Sequence, residues 1–96
     1  MSIVILLTIK AKPETYENLK AGIAKILKDT KTFKGCLGVY AGGNPADHSV
    51  LLYERWESPE AHRAYAAWRA ENGGLKEIAH GFSEPPHSIT IEDVFA

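Results

Sequence analysis

The chain has one cysteine, Cys36, in 96 residues. No internal disulfide can staple it, so its stability has to come from packing. That usage suits a reducing compartment, and the cytoplasm is the expected location. Long hydrophobic runs are also missing. The longest apolar stretch, Ile3 to Leu7, falls far short of the roughly 20 residues that a membrane helix needs, and neither a basic leader nor a cleavage site accompanies it. Neither secretion nor a membrane partner is expected. Neither charge is in surplus: eleven Lys and Arg stand against twelve Asp and Glu, for a net charge of -1. With no block of like charge, nucleic acid and anionic membrane are disfavoured as partners. The four histidines lie 14, 18 and 7 residues apart, and none has a second ligand at helical or turn spacing, so no metal is expected. Gly42-Gly43 and Gly73-Gly74 are isolated turn pairs rather than a phosphate loop, and no nucleotide cofactor is implied.

What is present is an ordered set of amphipathic segments. A chain of this length with 45% apolar residues fits one compact domain over residues 1–96, and such a chain buries only roughly 60 to 65% of its unfolded surface. Strand-like Ile3 to Lys10 is followed by a helix over Pro13 to Lys31, whose Tyr16, Leu19, Ile23, Ile26 and Leu27 recur at three-and-four spacing. Phe33-Lys34-Gly35 turns the chain into a second strand, Cys36 to Ala41, and Gly42-Gly43-Asn44-Pro45 has the composition of a loop. The third strand, His48 to Trp56, puts Val50, Leu52, Glu54 and Trp56 on one face and Leu51, Tyr53 and Arg55 on the other. Ser58 is a fitting N-cap and Pro59 a fitting first residue for a second helix, with Ala61, Ala64, Tyr65 and Trp68 along one stripe and Glu71-Asn72-Gly73-Gly74 at its end. A short helical turn over Leu75 to His80 and a last strand over His87 to Val94 complete the chain, with Ile89 and Ile91 expected to face inward beside His87.

This order is β-α-β-β-α-β, an α+β ferredoxin-like fold with an antiparallel sheet. Both faces of the first strand are apolar: Ile3, Ile5, Leu7 and Ile9 on one, Val4 and Leu6 with Thr8 on the other. Helices cover only one side of such a sheet, so the other face calls for a lid or a second subunit, and a homodimer is the simpler cover.

The residues Lys12-Pro13-Glu14, Phe33-Lys34-Gly35-Cys36 and Tyr53-Glu54-Arg55-Trp56-Glu57-Ser58-Pro59-Glu60-Ala61 make the chain resemble the antibiotic biosynthesis monooxygenase domains. That family includes cofactor-independent anthrone and quinol oxygenases and related haem-degrading proteins. The resemblance spans nearly the whole chain. It implies strand order 4-1-3-2, a dimeric α/β barrel joined through the sheets, and a pocket between sheet and helices in each subunit. It also implies a cofactor-independent monooxygenase, an oxidoreductase of aromatic quinols or anthrones. The chain departs from the pattern at one position. Many members carry a histidine nine residues after the tryptophan that corresponds to Trp56, and here that residue is Tyr65. The haem-degrading branch fits poorly: Leu75 stands where its iron-ligating histidine would be, His80 lies too far along without a gap, and the first strand has no asparagine.

Oxygenation without a cofactor requires a substrate that can itself reduce oxygen once it is deprotonated. The protein then supplies a base with a pKa near the working pH, as histidine has at about 6.5, and a dry cavity lined for a flat ring. His62 and Tyr65, three residues apart on the second helix, are the candidate base and its hydrogen-bond partner. Trp56, Trp68, Arg69, His87 and Glu54 are the candidate substrate-binding residues, with Arg69 placed to steady an anion. Each also has a structural role to fill. The tryptophans suit the core, and Glu54 suits either a general base or an ion pair with its neighbour Arg55. His48 and His80 suit the surface, and Cys36 suits a small buried apolar position. The same pocket would equally serve a non-catalytic or stress-associated dimeric module that binds a small aromatic molecule.

Overall fold

Alternating apolar residues make the strands, and the computed structural model, which describes residues 1–74 and 79–94, arranges them in one antiparallel sheet with two helices. β1 (Ile3–Lys10) is followed by a 3-10 turn at Pro13–Thr15 and α1 (Tyr16–Thr30), then β2 (Cys36–Asn44), β3 (Ser49–Trp56), α2 (Pro59–Asn72), a 3-10 turn at Ala79–Gly81 and β4 (His87–Glu92). The sheet order is β2-β3-β1-β4, so the expected ferredoxin-like fold and strand order are met. Most of the expected helical turn over Leu75 to His80 lies outside the described residues.

The first helix begins as a 3-10 turn because Pro13 supplies no N–H and its fixed φ suits an opening turn. Thr15 Oγ1 both accepts from Lys12 N and donates to Gly81 O, at 3.1 and 2.7 Å, which ties this turn to the segment before β4. α2 starts as expected, with Ser58 Oγ accepting from Ala61 N at 3.1 Å and Pro59 as the first helical residue. β2 runs three residues beyond the expected Ala41, since its ladder continues through Gly42, Gly43 and Asn44 to Ser49. Gly43 is there to let α1 approach: a Cβ at this position would fall 2.5 Å from the Tyr16 hydroxyl. Gly35 performs the helix-to-strand turn at φ 91°, where a Cβ would also lie 2.5 Å from that of Ala61.

Register decides which side chains share a face. Ile3 pairs with Trp56, Ile5 with Glu54, Leu7 with Leu52 and Ile9 with Val50, and this face lies beneath the helices. Two apolar clusters fill that space. Ile9, Ala11, Tyr16, Leu19, Ile23, Val50 and Leu52 form one, and Ile3, Ile5, Trp56 and Tyr65 form the other, with Phe33, Cys36, Ala61 and Trp68 packed against it. Trp56 is fully buried. Burying such side chains contributes about 1.5 to 3 kcal/mol each.

The expected inward direction of β4 is corrected. Ile91 pairs with Val4, Ile89 with Leu6 and His87 with Thr8. These three therefore share the face that no helix covers, where Ile89 and Ile91 are 47% and 43% exposed. Period-two alternation then turns Ser88, Thr90 and Glu92 toward the helices.

Candidate functional site

Between the helix-facing side of the sheet and the two helices lies a cavity of about 410 Å³. Ile5, Leu7 and Leu52 contribute from the sheet and Ile23, Ile26 and Leu27 from α1, so its wall is largely aliphatic. Its polar groups are Thr30, Glu54, His62, Tyr65, Arg69 and Ser88. The structure therefore brings together four of the seven residues singled out from the sequence: Glu54, His62, Tyr65 and Arg69. Trp56 and Trp68 are not on the wall. They stand behind it in an aromatic group, where Trp56 packs on Tyr65 at 5.0 Å and Trp68 on Phe33 at 5.6 Å between centroids. His87 is exposed on the opposite face of the sheet and takes no part in the cavity.

Three wall residues are locked to one another. Arg69 Nε donates to the Tyr65 hydroxyl at 3.1 Å, and that hydroxyl lies 2.6 Å from Thr30 Oγ1. Thr30 Oγ1 donates to Ile26 O at 3.2 Å, leaving the tyrosine as the donor between the two hydroxyls. The Arg69 guanidinium also donates to Ile26 O at 3.2 Å and Gly73 O at 3.4 Å, and it pairs with Asp29 at 3.8 Å. It thereby joins the last turn of α1 to the end of α2. The hydrogen bond between Tyr65 and His62 expected from the sequence is not formed; their ring centroids are 6.5 Å apart.

Burial shifts the titration of two cavity groups, Glu54 and His62. Glu54 is only 6% exposed, and burial pushes its carboxyl above the usual range, against the opposing pull of the Trp56 hydrogen bond and the Arg69 charge. Trp56 Nε1 donates to Glu54 Oε1 at 3.1 Å. The ion pair with Arg55 that the sequence allowed is absent. Arg55 points to the other face of β3, where its Nε meets Asp93 at 2.9 Å. Burial lowers the His62 pKa below its ordinary value, which keeps the imidazole neutral near pH 7 and able to take a proton. Among the described residues nothing hydrogen-bonds that ring, which lies against the rings of Trp56 and Tyr65. At Cys36 burial raises the thiol pKa, in keeping with a small packing group.

Thr30 and Ser88 were not singled out from the sequence. Thr30 had a usable signal, because it continues the α1 stripe three residues after Leu27 and four after Ile26. Ser88 had none, since its facing depends on the register of β4. Among the described residues no three His, Cys, Asp or Glu side chains could hold a metal ion. Among the same residues, no helix is long and apolar enough to cross a membrane.

The model of the antibiotic biosynthesis monooxygenase family matches residues 2–70, which carry β1 through most of α2 and most of the cavity wall. The chain belongs to this family. No curated protein matches it at a significant level. Solved structures do: a conserved protein from Methanosarcina mazei has a TM-score of 0.86 at 10% identity over 97% of this chain and 93% of that one. A structure described as an antibiotic biosynthesis monooxygenase has a TM-score of 0.85 at 14% identity over 96% and 98%. A Shewanella oneidensis protein has a TM-score of 0.82 at 21% identity over 93% and 87%. At such identities these likenesses establish the family's fold, and the chemistry has to be argued from the cavity.

Proposed function

We propose that this family member is a cofactor-independent monooxygenase that oxidises an aromatic quinol or anthrone-type substrate in the cavity between sheet and helices. The observation that carries the reading is a neutral His62 imidazole, without a hydrogen bond among the described residues, on the wall of a largely aliphatic cavity that also holds a buried carboxylate. His62 takes a proton from the substrate, and the resulting carbanion or phenolate gives one electron to dioxygen. The radical pair combines into a ring peroxide anion, which takes the proton back from His62 to become the hydroperoxide and then loses water. For an anthrone methylene, one oxygen atom stays as the new carbonyl and the other leaves with both hydrogens as water. The aliphatic wall excludes bulk water from the reactive anion. The Arg69 charge steadies that anion through space, since three of its five N–H groups are engaged within the protein. Tyr65 is assigned a positioning role, as its hydroxyl is held by Thr30 and Arg69. A homodimer joined through the open sheet face, one domain per chain, is part of the same proposal.

A second reading is a dimeric module that binds a small aromatic molecule without transforming it. What favours it is Tyr65 itself, a committed hydroxyl where many members carry histidine. Oxygen uptake by the metal-free protein with a panel of anthrones and hydroquinones, beside His62→Ala, decides between the two. Uptake that falls about a hundredfold or more in the variant, a typical loss for a general base, supports the oxygenase. No uptake on any substrate gives first place to the binding module.

A further inference from the structure

The hydrogen-bonding capacity of the cavity wall is unevenly spent. Tyr65 gives its proton to Thr30 and accepts from Arg69, and Thr30 gives its own proton to Ile26 O. The Arg69 guanidinium is directed at Ile26, Gly73, Tyr65 and Asp29. Glu54 stands apart from this set. A carboxylate offers about four acceptor sites, and the hydrogen bond from Trp56 uses one of them. The Arg69 charge acts on Glu54 through space, and the other polar groups of the wall, His62 and Ser88, are neutral with one donor each, so the remaining capacity is mainly that of an acceptor.

We propose that Glu54 selects the ligand of this cavity by accepting a hydrogen bond from a ring hydroxyl, so that an uncharged hydroxylated aromatic enters and its carboxylate counterpart does not. A ligand hydroxyl replaces the water that the Glu54 acceptor loses when the cavity fills, so neither group is left unsatisfied. An ether of the same shape leaves Glu54 unpaired. A carboxylate meets a second carboxylate, and the guanidinium on the wall already spends three of its five N–H groups on Tyr65, Ile26 and Gly73, whereas a compact anion stripped of water needs several such donors. A delocalised anion formed after entry is less demanding, since it spreads its charge over the rings. This inference rests on the proposal that the cavity is the substrate site, yet it concerns binding and is tested without turnover.

The experiment is calorimetric titration of the wild-type protein and of Glu54→Gln with 2-naphthol, 2-methoxynaphthalene and 2-naphthoate, with folding checked by circular dichroism. Wild type is expected to bind 2-naphthol about tenfold or more tighter than either of the others, from the usual worth of a hydrogen bond to a charged acceptor. In Glu54→Gln, whose amide oxygen can still accept from Trp56, both preferences are expected to shrink severalfold, with 2-naphthoate gaining affinity in absolute terms. Equal or tighter binding of 2-naphthoate by wild type overturns the proposal. So does an unchanged preference in a folded variant, or no binding of any of the three. Should Glu54→Gln fail to fold, Glu54→Asp, which keeps the charge but withdraws it by one methylene, must weaken 2-naphthol alone; an unchanged 2-naphthol affinity again overturns the idea. Retained selectivity without oxygen uptake sinks the oxygenase reading only, and uptake without selectivity sinks this one only.

Discussion

Trp56 holds Glu54: the indole Nε1 donates to the carboxylate Oε1 at 3.1 Å from two residues along the same face of β3. Strand alternation makes the contact local, and the core makes it stiff, because the indole is fully buried against Phe33, His62 and Tyr65. A core tryptophan outside the cavity thereby fixes the acid inside it. Trp56→Phe should cost roughly 3 kcal/mol, part from lost packing and part from a buried carboxylate stripped of its donor. In a Glu54→Leu background the same change should cost about 1 to 2 kcal/mol less. Urea denaturation of the four proteins measures this, and equal costs in both backgrounds would deny the coupling.

Two titratable groups of the cavity, Glu54 and His62, should give stability opposite slopes against pH. Burial raises the Glu54 pKa, so its contribution is fully present below the ordinary carboxylate value of about 4.3 and is lost as pH rises through the raised value. Burial lowers that of His62, so its contribution is present above about 6.5 and is lost as pH falls through the lowered value. Melting temperatures of wild type, Glu54→Gln and His62→Gln across this range separate the two. The glutamine at 54 should gain on wild type as pH rises above about 4, and the glutamine at 62 should gain on it as pH falls below about 6.5. A pH-independent offset in either variant would refute the assignment for that residue.

Thr30 should matter more than its place at a helix end suggests. Replacing it with valine keeps the shape and removes the acceptor of the Tyr65 proton, at a cost of about 1 to 2 kcal/mol. Tyr65→Phe removes the other half of the contact, so the double variant should be less destabilised than the sum of the two. If Tyr65 only positions the wall, Tyr65→Phe retains most of the oxygen uptake, whereas a collapse of turnover in a folded variant would make the phenol a catalytic group. Thermal unfolding and oxygen uptake on the same samples give both answers.

The fold was legible because its signals are local. Ser58 and Pro59 mark a helix start by their own chemistry, and β1 and β3 declare their faces by alternation. Glu54 and Arg55 could be separated for the same reason, since neighbours on a strand point to opposite faces. What the sequence left open depends on pairing over long distance. The facing of β4 is set by Ile89 meeting Leu6, and one step of register would have turned His87 toward the cavity and Ser88 away from it. Trp56 and Trp68 were named with the pocket because aromatic residues suit both a pocket and a core. Their packing on Tyr65 and Phe33, invisible in a linear stripe, decided for the core. Arg69 lines the cavity, but its ties to α1 arise between helices that the sequence does not align.

The open face of the sheet bears on assembly. Tyr40, Tyr53, Leu6 and Ile89 stand in one row across all four strands, and Leu51 and Ile91 flank it. Of these six, all but Leu6 are exposed. A contiguous apolar surface of this kind on a chain with one thin core is expected to be covered by a second copy, since sheet faces pack against each other through interdigitating side chains. Two lysines in that row, Tyr53→Lys with Ile89→Lys, would place like charges within the proposed interface while leaving the helix-side core untouched. Sedimentation should then move from dimer to monomer with the circular dichroism spectrum retained, and the monomer should melt lower because the face is left in water. A wild-type protein that sediments as a monomer at the concentrations used for oxygen uptake would sink the proposal. So would a double variant that stays dimeric, by showing that the copies meet through some other surface.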